Sequence, residues 1–174
     1  MASLIHLNKL KETDFEIFYR WFLDKETIKY SLSKWQKKHS KKQVKQWLEN
    51  IIKDKGSVNF GIIEISTKKL IGYAGICGIS KINNSGEYFI FIGDKNSWGK
   101  GYGTEVTKLV VNYGFYKLHL HRIFLTVSEP NIGGVKAYAK AGFKKEGILG
   151  DAAFRDGKYH NKIMMSILDS EWNS

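Results

Sequence analysis

Glu87-Tyr-Phe-Ile-Phe-Ile-Gly-Asp-Lys-Asn-Ser97, followed by Trp98-Gly-Lys-Gly-Tyr-Gly103 and Thr104-Glu-Val-Thr-Lys-Leu-Val-Val-Asn-Tyr-Gly-Phe-Tyr116, is the stretch that decides the fold. It reads as strand, glycine-rich turn and helix. Tyr88 to Ile92 are aromatic or β-branched and uncharged, as in a buried strand. Val106, Leu109, Val110 and Tyr113 fall at the one-face spacing of an amphipathic helix. Between them, three glycines alternate with Lys100 and Tyr102. A helix that opens on glycines presents unpaired N–H groups and the positive end of its dipole, and the missing Cβ atoms let a phosphate approach. Lys100 adds a full charge at the same place. The turn is a candidate anion cradle, with a pyrophosphate as the expected ligand; close packing of strand on helix is the alternative reading of such glycines. It is not the G-x-G-x-x-G dinucleotide fingerprint, and no G-x-x-x-x-G-K-[ST] loop occurs in the chain.

Outward from this stretch, the pattern predicts a first strand at Ile5 to Leu10 and a capping box at Thr13 to Glu16. A helix follows to Leu23 with Phe15, Phe18, Tyr19 and Phe22 inward, then a second helix at about Lys41 to Lys53. Val58 to Ile65 and Leu70 to Ile79 read as an antiparallel hairpin. Gly72, Gly75 and Gly78 in its second arm imply bends or a close neighbour. A turn at Asn83 to Gly86 leads into the central strand. Beyond the cradle helix come a half-buried strand at Arg122 to Val127, a short helix at Gly133 to Ala141 stopped by Gly142, and a hairpin turning at Asp156-Gly157 into a last strand, His160 to Leu168. The expected fold is α/β of the α+β type. It is a mixed, mostly antiparallel twisted sheet of about seven strands with helices on both faces, in a single domain over residues 1–174.

The chain of 174 residues has 28 Lys and Arg against 17 Asp and Glu, a net charge of +11. That surplus attracts polyanions in general without choosing among them. Its densest cluster, Lys34, Lys37, Lys38, Lys41, Lys42 and Lys45, reads as a solvated face. No basic-then-apolar leader and no apolar run near the ~18 residues of a membrane span are found, so a cytoplasmic protein that does not enter the membrane is expected. Cys77 is the single cysteine and reads as a small core residue. His119 and His121 share a strand-like spacing but lack further ligands, and His6, His39 and His160 are isolated, so no metal is expected. His160 is a candidate substrate contact.

Trp98-Gly99-Lys100-Gly101-Tyr102-Gly103 resembles the Gln/Arg-x-x-Gly-x-Gly/Ala pyrophosphate loop of the GCN5-related N-acetyltransferases (GNAT), above all the branch of ribosomal-protein N-terminal and spermidine acetyltransferases. Trp98 stands where the wider family has Gln or Arg. A second segment, Asn131, Tyr138 and Gly142-Phe143, resembles the family's Asn-x-x-Ser-x-x-x-Tyr-x-Lys-x-Gly-Phe pattern, with Gly134 in place of the serine. The element order fits the family over essentially the whole chain.

The resemblance implies acetyl-CoA as co-substrate, lying where the central strand splays from its neighbour. Backbone groups of Phe91, Ile92 and Gly93 would bond its pantetheine arm, and the loop Trp98, Gly99, Lys100, Gly101, Tyr102, Gly103 and Thr104 would take the pyrophosphate. Asn131 and Lys136 would add side-chain contacts. The acceptor would be a primary amine. An alkylamine has a pKa of about 10.4, so a base must remove a proton near neutral pH. Glu87 is the candidate, with a water chain as the alternative, because Thr126 stands where related enzymes carry a glutamate. A strand N–H would stabilise the oxyanion, and Tyr138 would protonate the departing thiolate. The walls of the acceptor pocket would come from Asp24 to Ser40. The basic surface favours an acidic or nucleotide-linked amine over a polycation. A homodimer is among the partner expectations, and nucleic acid is not the expected partner. The competing reading is a non-catalytic, basic protein on the same fold that binds a polyanion, with Trp35 to Lys45 as its hint of aromatic and basic residues interleaved.

Overall fold

The computed structural model describes residues 3–30 and 33–172, with the backbone alone at Ser33 and Lys34. Positions 31 and 32 of the expected acceptor wall, and the Lys34 side chain of the lysine cluster, lie outside the described residues. The strands are β1 (Ile5–Lys9), β2 (Val58–Glu64), β3 (Leu70–Ser80), β4 (Ser85–Ile92), β5 (Arg122–Ser128), β6 (Lys144–Arg155) and β7 (Lys158–Leu168). The helices are α1 (Phe15–Leu23), α2 (Lys41–Lys53), α3 (Tyr102–Tyr116), α4 (Ile132–Lys140) and a closing turn, α5 (Asp169–Trp172). All seven strands join one sheet in the order β1-β2-β3-β4-β5-β7-β6. Only β4 and β5 run parallel, joined by the α3 crossover; the other neighbours are antiparallel.

Alternation along β4 divides the molecule into two cores. Tyr88, Ile90 and Ile92 face α3 and α4, packing with Val106, Val110, Ile123 and Leu125. Phe91 faces the other way, into a cluster made by Phe18, Phe22, Val44 and Leu48 of α1 and α2. Tyr73 and Phe89 lie on that same side, with ring centres 5.3 Å apart. Helices therefore cover both faces, as the sequence predicts.

Local differences have local causes. Asp14, rather than Thr13, organises the start of α1: its carboxylate accepts from Lys11 N–H at 2.8 Å, and a 3-10 turn at Glu12–Asp14 precedes the helix. Ser40 and Gln43 form the capping box of α2, with Ser40 N–H on Gln43 Oε1 at 2.7 Å. Ser85 and Gly86, expected in a turn, are the first residues of β4. Leu109 is exposed because the buried face of α3 runs through Val106, Val110 and Gly114 instead. His119 and His121 do not share a strand face. His119 sits in a turn with φ of 53°, and His121 Nδ1 lies 3.0 Å from Asp169 Oδ1. Two of the three β3 glycines reflect close neighbours. A Cβ at Gly72 would lie 2.2 Å from Phe91 O, and one at Gly75 would lie 1.9 Å from Val58 O. Gly78, with φ of 58°, sits at the irregularity where β3 and β4 lose register.

Candidate active site

The β4–β5 pairing covers only Ser85↔Arg122, Gly86↔Ile123 and Glu87↔Phe124. Beyond Glu87 the strands part, and the V between them opens into a cavity of about 990 Å³. Glu87 marks its vertex. The glycine turn, the start of α4 and the loop after α1 line the rest.

At one end of the V the glycine turn has the form of an anion cradle. Gly99 and Gly101 have φ of 74° and 85°, the left-handed region that glycine enters without penalty. A Cβ built on either would meet nothing within 4 Å, so the space above them is open. The N–H groups of Gly99, Lys100, Gly101, Tyr102 and Gly103 donate to no acceptor among the described residues, whereas Thr104 N–H already bonds Gly101 O at 3.1 Å. The free amides of the expected set therefore end at Gly103. Thr104 contributes instead a hydroxyl, 3.4 Å from Ala137 O of α4. The Tyr102 side chain points away from the opening, with its hydroxyl donating to Glu64 Oε1 at 2.6 Å. Glu64 is held below the usual carboxylate range by hydrogen bonds from Thr67 and Tyr102. Lys100 is exposed, with Nζ 6.0 Å from the centre of the Tyr102 ring. Trp98 donates its indole N–H to Ile92 O at 2.9 Å and so fastens the start of the turn to the end of β4.

The backbone along the V is more selective than the resemblance implied. Gly93 N–H donates to Ile71 O at 2.9 Å. With that bond fixed, antiparallel alternation turns both backbone groups of Phe91 toward Tyr73 of β3, and those of Ile90 and Ile92 toward β5. Of the three residues Phe91, Ile92 and Gly93, only Ile92 offers its N–H to the opening, and Ile90 joins it. Identifying them requires knowing which neighbour β4 leaves, which the sequence alone does not state. On the far wall, Asn131 caps α4: its Oδ1 accepts from Gly134 N–H at 3.1 Å, leaving Nδ2 as a donor. A Cβ at position 134 would approach that Nδ2 to 2.7 Å, so the glycine standing for the family's serine makes room for the cap. Lys136 is exposed at the edge of the cavity.

Tyr138 and Glu87 stand on opposite faces of the sheet at the vertex. The Tyr138 ring lies 6.0 Å from that of Tyr88, the first residue past the last β4–β5 pair, and its hydroxyl has no hydrogen-bond partner among the described residues. Burial pushes the phenol up to about 12, so it stays protonated throughout the physiological range. Glu87 is half-buried, opposite Cys77 on β3 and on the α1/α2 side. Cys77 is not the core residue expected, because it too is half-buried and lines the cavity. Burial and the neighbouring Glu87 charge push its thiol up, away from a nucleophilic thiolate. His160 does not line the cavity. Among the described residues no group of His, Cys, Asp and Glu is placed to hold a metal.

The loop after α1, residues 24–30, spans the mouth. Lys95, just before the glycine turn, pairs with Asp24 at 2.7 Å and Glu26 at 3.1 Å. Tyr30 donates its hydroxyl to Pro130 O at 3.1 Å, one residue before Asn131. Arg155 of β6 donates to Lys29 O at 3.0 Å and Tyr30 O at 3.1 Å. The loop thus touches the elements that follow both diverging strands. Arg155 and Tyr73 line the cavity without a functional signal in the sequence. Only the Asp-Gly hairpin beside Arg155, and the Gly72-Tyr73-Ala74-Gly75 spacing, hinted at close packing there.

A family model described as an acetyltransferase (GNAT) domain matches residues 5–144. The uncharacterized N-acetyltransferase p20 of Bacillus licheniformis is 28% identical over 167 residues, covering 95% of this chain and 93% of that protein. The probable N-acetyltransferase YjcK of Bacillus subtilis is 33% identical over 131 residues, covering 75% of this chain and 72% of its own. Among solved structures, spermidine N-acetyltransferase from Vibrio cholerae in complex with CoA and spermine is 26% identical. It aligns with a TM-score of 0.87 over 99% of this chain and 100% of that one.

Proposed function

This chain belongs to the acetyltransferase (GNAT) domain family, and from that premise we propose how its cavity carries out acetyl transfer from acetyl-CoA to an amine. Acetyl-CoA supplies, when bound, an acetyl group activated as a thioester. The cradle fits its pyrophosphate: five unpaired amides, two left-handed glycines and open space meet a dianion, with Lys100 beside them. Ile92 N–H, turned toward β5, is aimed where an oxygen gaining negative charge would need a donor. Asn131 Nδ2 and Lys136 complete the binding set on the α4 side.

Glu87 receives the proton that the acceptor ammonium gives up; the neutral amine then forms the C–N bond, and as the C–S bond breaks the second proton on nitrogen passes to the leaving sulfur, giving the amide and the free thiol. Tyr138, on the other face, donates to the sulfur that is left. Its raised pKa limits that role. Burial raises its pKa and so disfavours full proton transfer, and Tyr138 acts as a hydrogen-bond donor to the leaving sulfur. The observation carrying this reading is the parting of β4 and β5 immediately beyond Glu87, with an acid and a base candidate on its two sides. Exposed Ile148, Leu149 and Phe154 near the sheet edge belong to the same reading, as a surface that a second copy would cover in a homodimer.

Amine-dependent release of free CoA thiol tests the assignment. Glu87→Gln is expected to lower kcat/KM for the acceptor about 100-fold, with CoA affinity held within about twofold by calorimetry. Wild-type turnover in Glu87→Gln would remove Glu87 from the mechanism and favour the water chain.

A further inference from the structure

Resting on the acetyltransferase reading, we propose that the acceptor carries a carboxylate distant from its amine, and that Ser128 and Lys162 hold this carboxylate at the far end of β5. Ser128 is the last residue of β5 and only 6% exposed, yet its hydroxyl has no hydrogen-bond partner among the described residues. Leaving a buried hydroxyl unpaired is costly, and this one lines the cavity, where a ligand can supply the missing partner. Lys162 of β7 stands directly opposite Ser128 in the register and lines the cavity too. The next pair carries the ladder bond, with Glu129 N–H on Asn161 O at 3.1 Å. Ser128 and Lys162 are therefore a pair without ladder bonds, in which side chains approach more closely. Leu125 and Val127 of β5 and Ile163 and Met165 of β7 belong to the α3/α4 core. Alternation then turns Ser128 and Lys162 to the α1/α2 side, the side of Glu87.

No carboxylate of the cavity wall reaches this end. Glu26 sits at Lys95, 3.1 Å away, and Asp54 lies beside Ser57 at the start of β2, three strands from β5. Glu129 follows Ser128 but turns the other way with its pair Asn161, whose Nδ2 donates to it at 3.0 Å, and neither lines the cavity. The loop after α1 closes over the pair. Arg155 donates to Lys29 O and Tyr30 O, and the Tyr30 hydroxyl to Pro130 O, two residues past Ser128. Lys29 Nζ is 5.3 Å from the centre of the Tyr30 ring and adds a second cation to this wall. One hydroxyl and one ammonium match the two oxygens of a carboxylate, and a charge-assisted bond of this kind is among the stronger ones. Spacing fixes where the amine lies. Glu87 is level with Phe124, and Ser128 is four residues further along β5, about 13 Å away, with Thr126 between them on the same face. The amine and carboxylate therefore occupy opposite ends of an extended acceptor, and the two groups on the α-carbon of one amino acid are too close together to serve.

The test measures kcat/KM at saturating acetyl-CoA for two ω-amino acids, γ-aminobutyrate and ω-aminooctanoate, each against its own carboxamide, with CoA binding followed separately by calorimetry. The long acid is expected to exceed its amide about tenfold, and the short acid, which cannot span the two ends, to show no such preference. In Lys162→Gln the acid-to-amide ratio of the long pair is expected to fall to about one, and in Ser128→Ala to fall about threefold, with CoA affinity unchanged in both. A wild-type ratio of one or less for the long pair, a ratio that survives Lys162→Gln, or no turnover of any of the four amines while CoA binds overturns the inference and leaves the transferase reading standing. Absence of CoA binding by the wild-type chain overturns both.

Discussion

Gly101→Ala separates the conformational cost of the cradle from its ligand-binding role. Gly101 caps α3 at φ of 85°, and a left-handed alanine costs about 1–2 kcal/mol. The Cβ itself meets no protein atom within 4 Å, so the fold loses only that strain. For a chain of this size the loss lowers the melting temperature by roughly 2–8 °C. Gly78→Ala is a matched control: φ is 58°, the added Cβ again meets nothing within 4 Å, and the site is on the β3 irregularity rather than the glycine turn. Both variants are expected to melt lower by similar amounts. Only Gly101→Ala places a methyl group over the free amides or turns its two peptides to relieve the strain, and either outcome takes donors from the anion. Calorimetric titration with CoA is expected to show about tenfold weaker binding, or ~1.4 kcal/mol, for Gly101→Ala and unchanged binding for Gly78→Ala. Equal CoA affinity in the two variants refutes the cradle.

Tyr138→Phe removes the hydrogen bond to the leaving sulfur and is expected to lower kcat about tenfold or more, with little change in CoA affinity. Because the buried phenol is pushed up to about 12 and acts in its protonated form, Tyr138 contributes no falling limb to the wild-type pH–rate profile below pH 10; a limb near pH 8 that disappears in Tyr138→Phe contradicts this. Trp98→Phe removes the indole bond to Ile92 O and is expected to cost about 1 kcal/mol of stability by denaturant titration; an unchanged midpoint would show that the bond does not hold the turn. Glu146 is held at about 2 by a double contact with Arg122, both bonds at 2.6 Å, and by the Ser166 hydroxyl at 2.8 Å. A depressed carboxylate stabilises the fold above its unfolded pKa and loses that effect as pH falls from about 4.5 toward 2. Partial exposure of the pair reduces the contribution to roughly 1–2 kcal/mol. Glu146→Gln is therefore expected to flatten the acid limb of stability, and an identical limb in the variant would assign it to other carboxylates.

Much of this fold is legible in the sequence because its elements are locally marked. Alternation dates β5 and β7, Ser40 with Gln43 starts α2, and Asp156-Gly157 turns the last hairpin with φ of 50° and 77°. The cradle is legible for the same reason, since Gly99 and Gly101 need their unusual backbone whatever surrounds them. What depends on partners distant in the chain is not legible. Period-2 alternation separates Phe91 from Ile92 but does not say which neighbour β4 leaves. That is why the resemblance places Phe91 and Gly93 on the cofactor, while the backbone of Phe91 and the N–H of Gly93 serve β3. Cys77 looked like a core residue because its neighbours are apolar, yet the parting strands expose it. Tyr73 and Arg155 carry no local signature, and their places follow from packing against α2 and against the loop at Lys29 and Tyr30.

A crystal structure of the chain with CoA tests the central claim most directly. The account predicts the pyrophosphate oxygens within hydrogen-bond distance of at least two N–H groups between Gly99 and Gly103, with the thiol lying between β4 and β5 near Tyr138. CoA bound elsewhere, with those amides still facing open solvent, would contradict it.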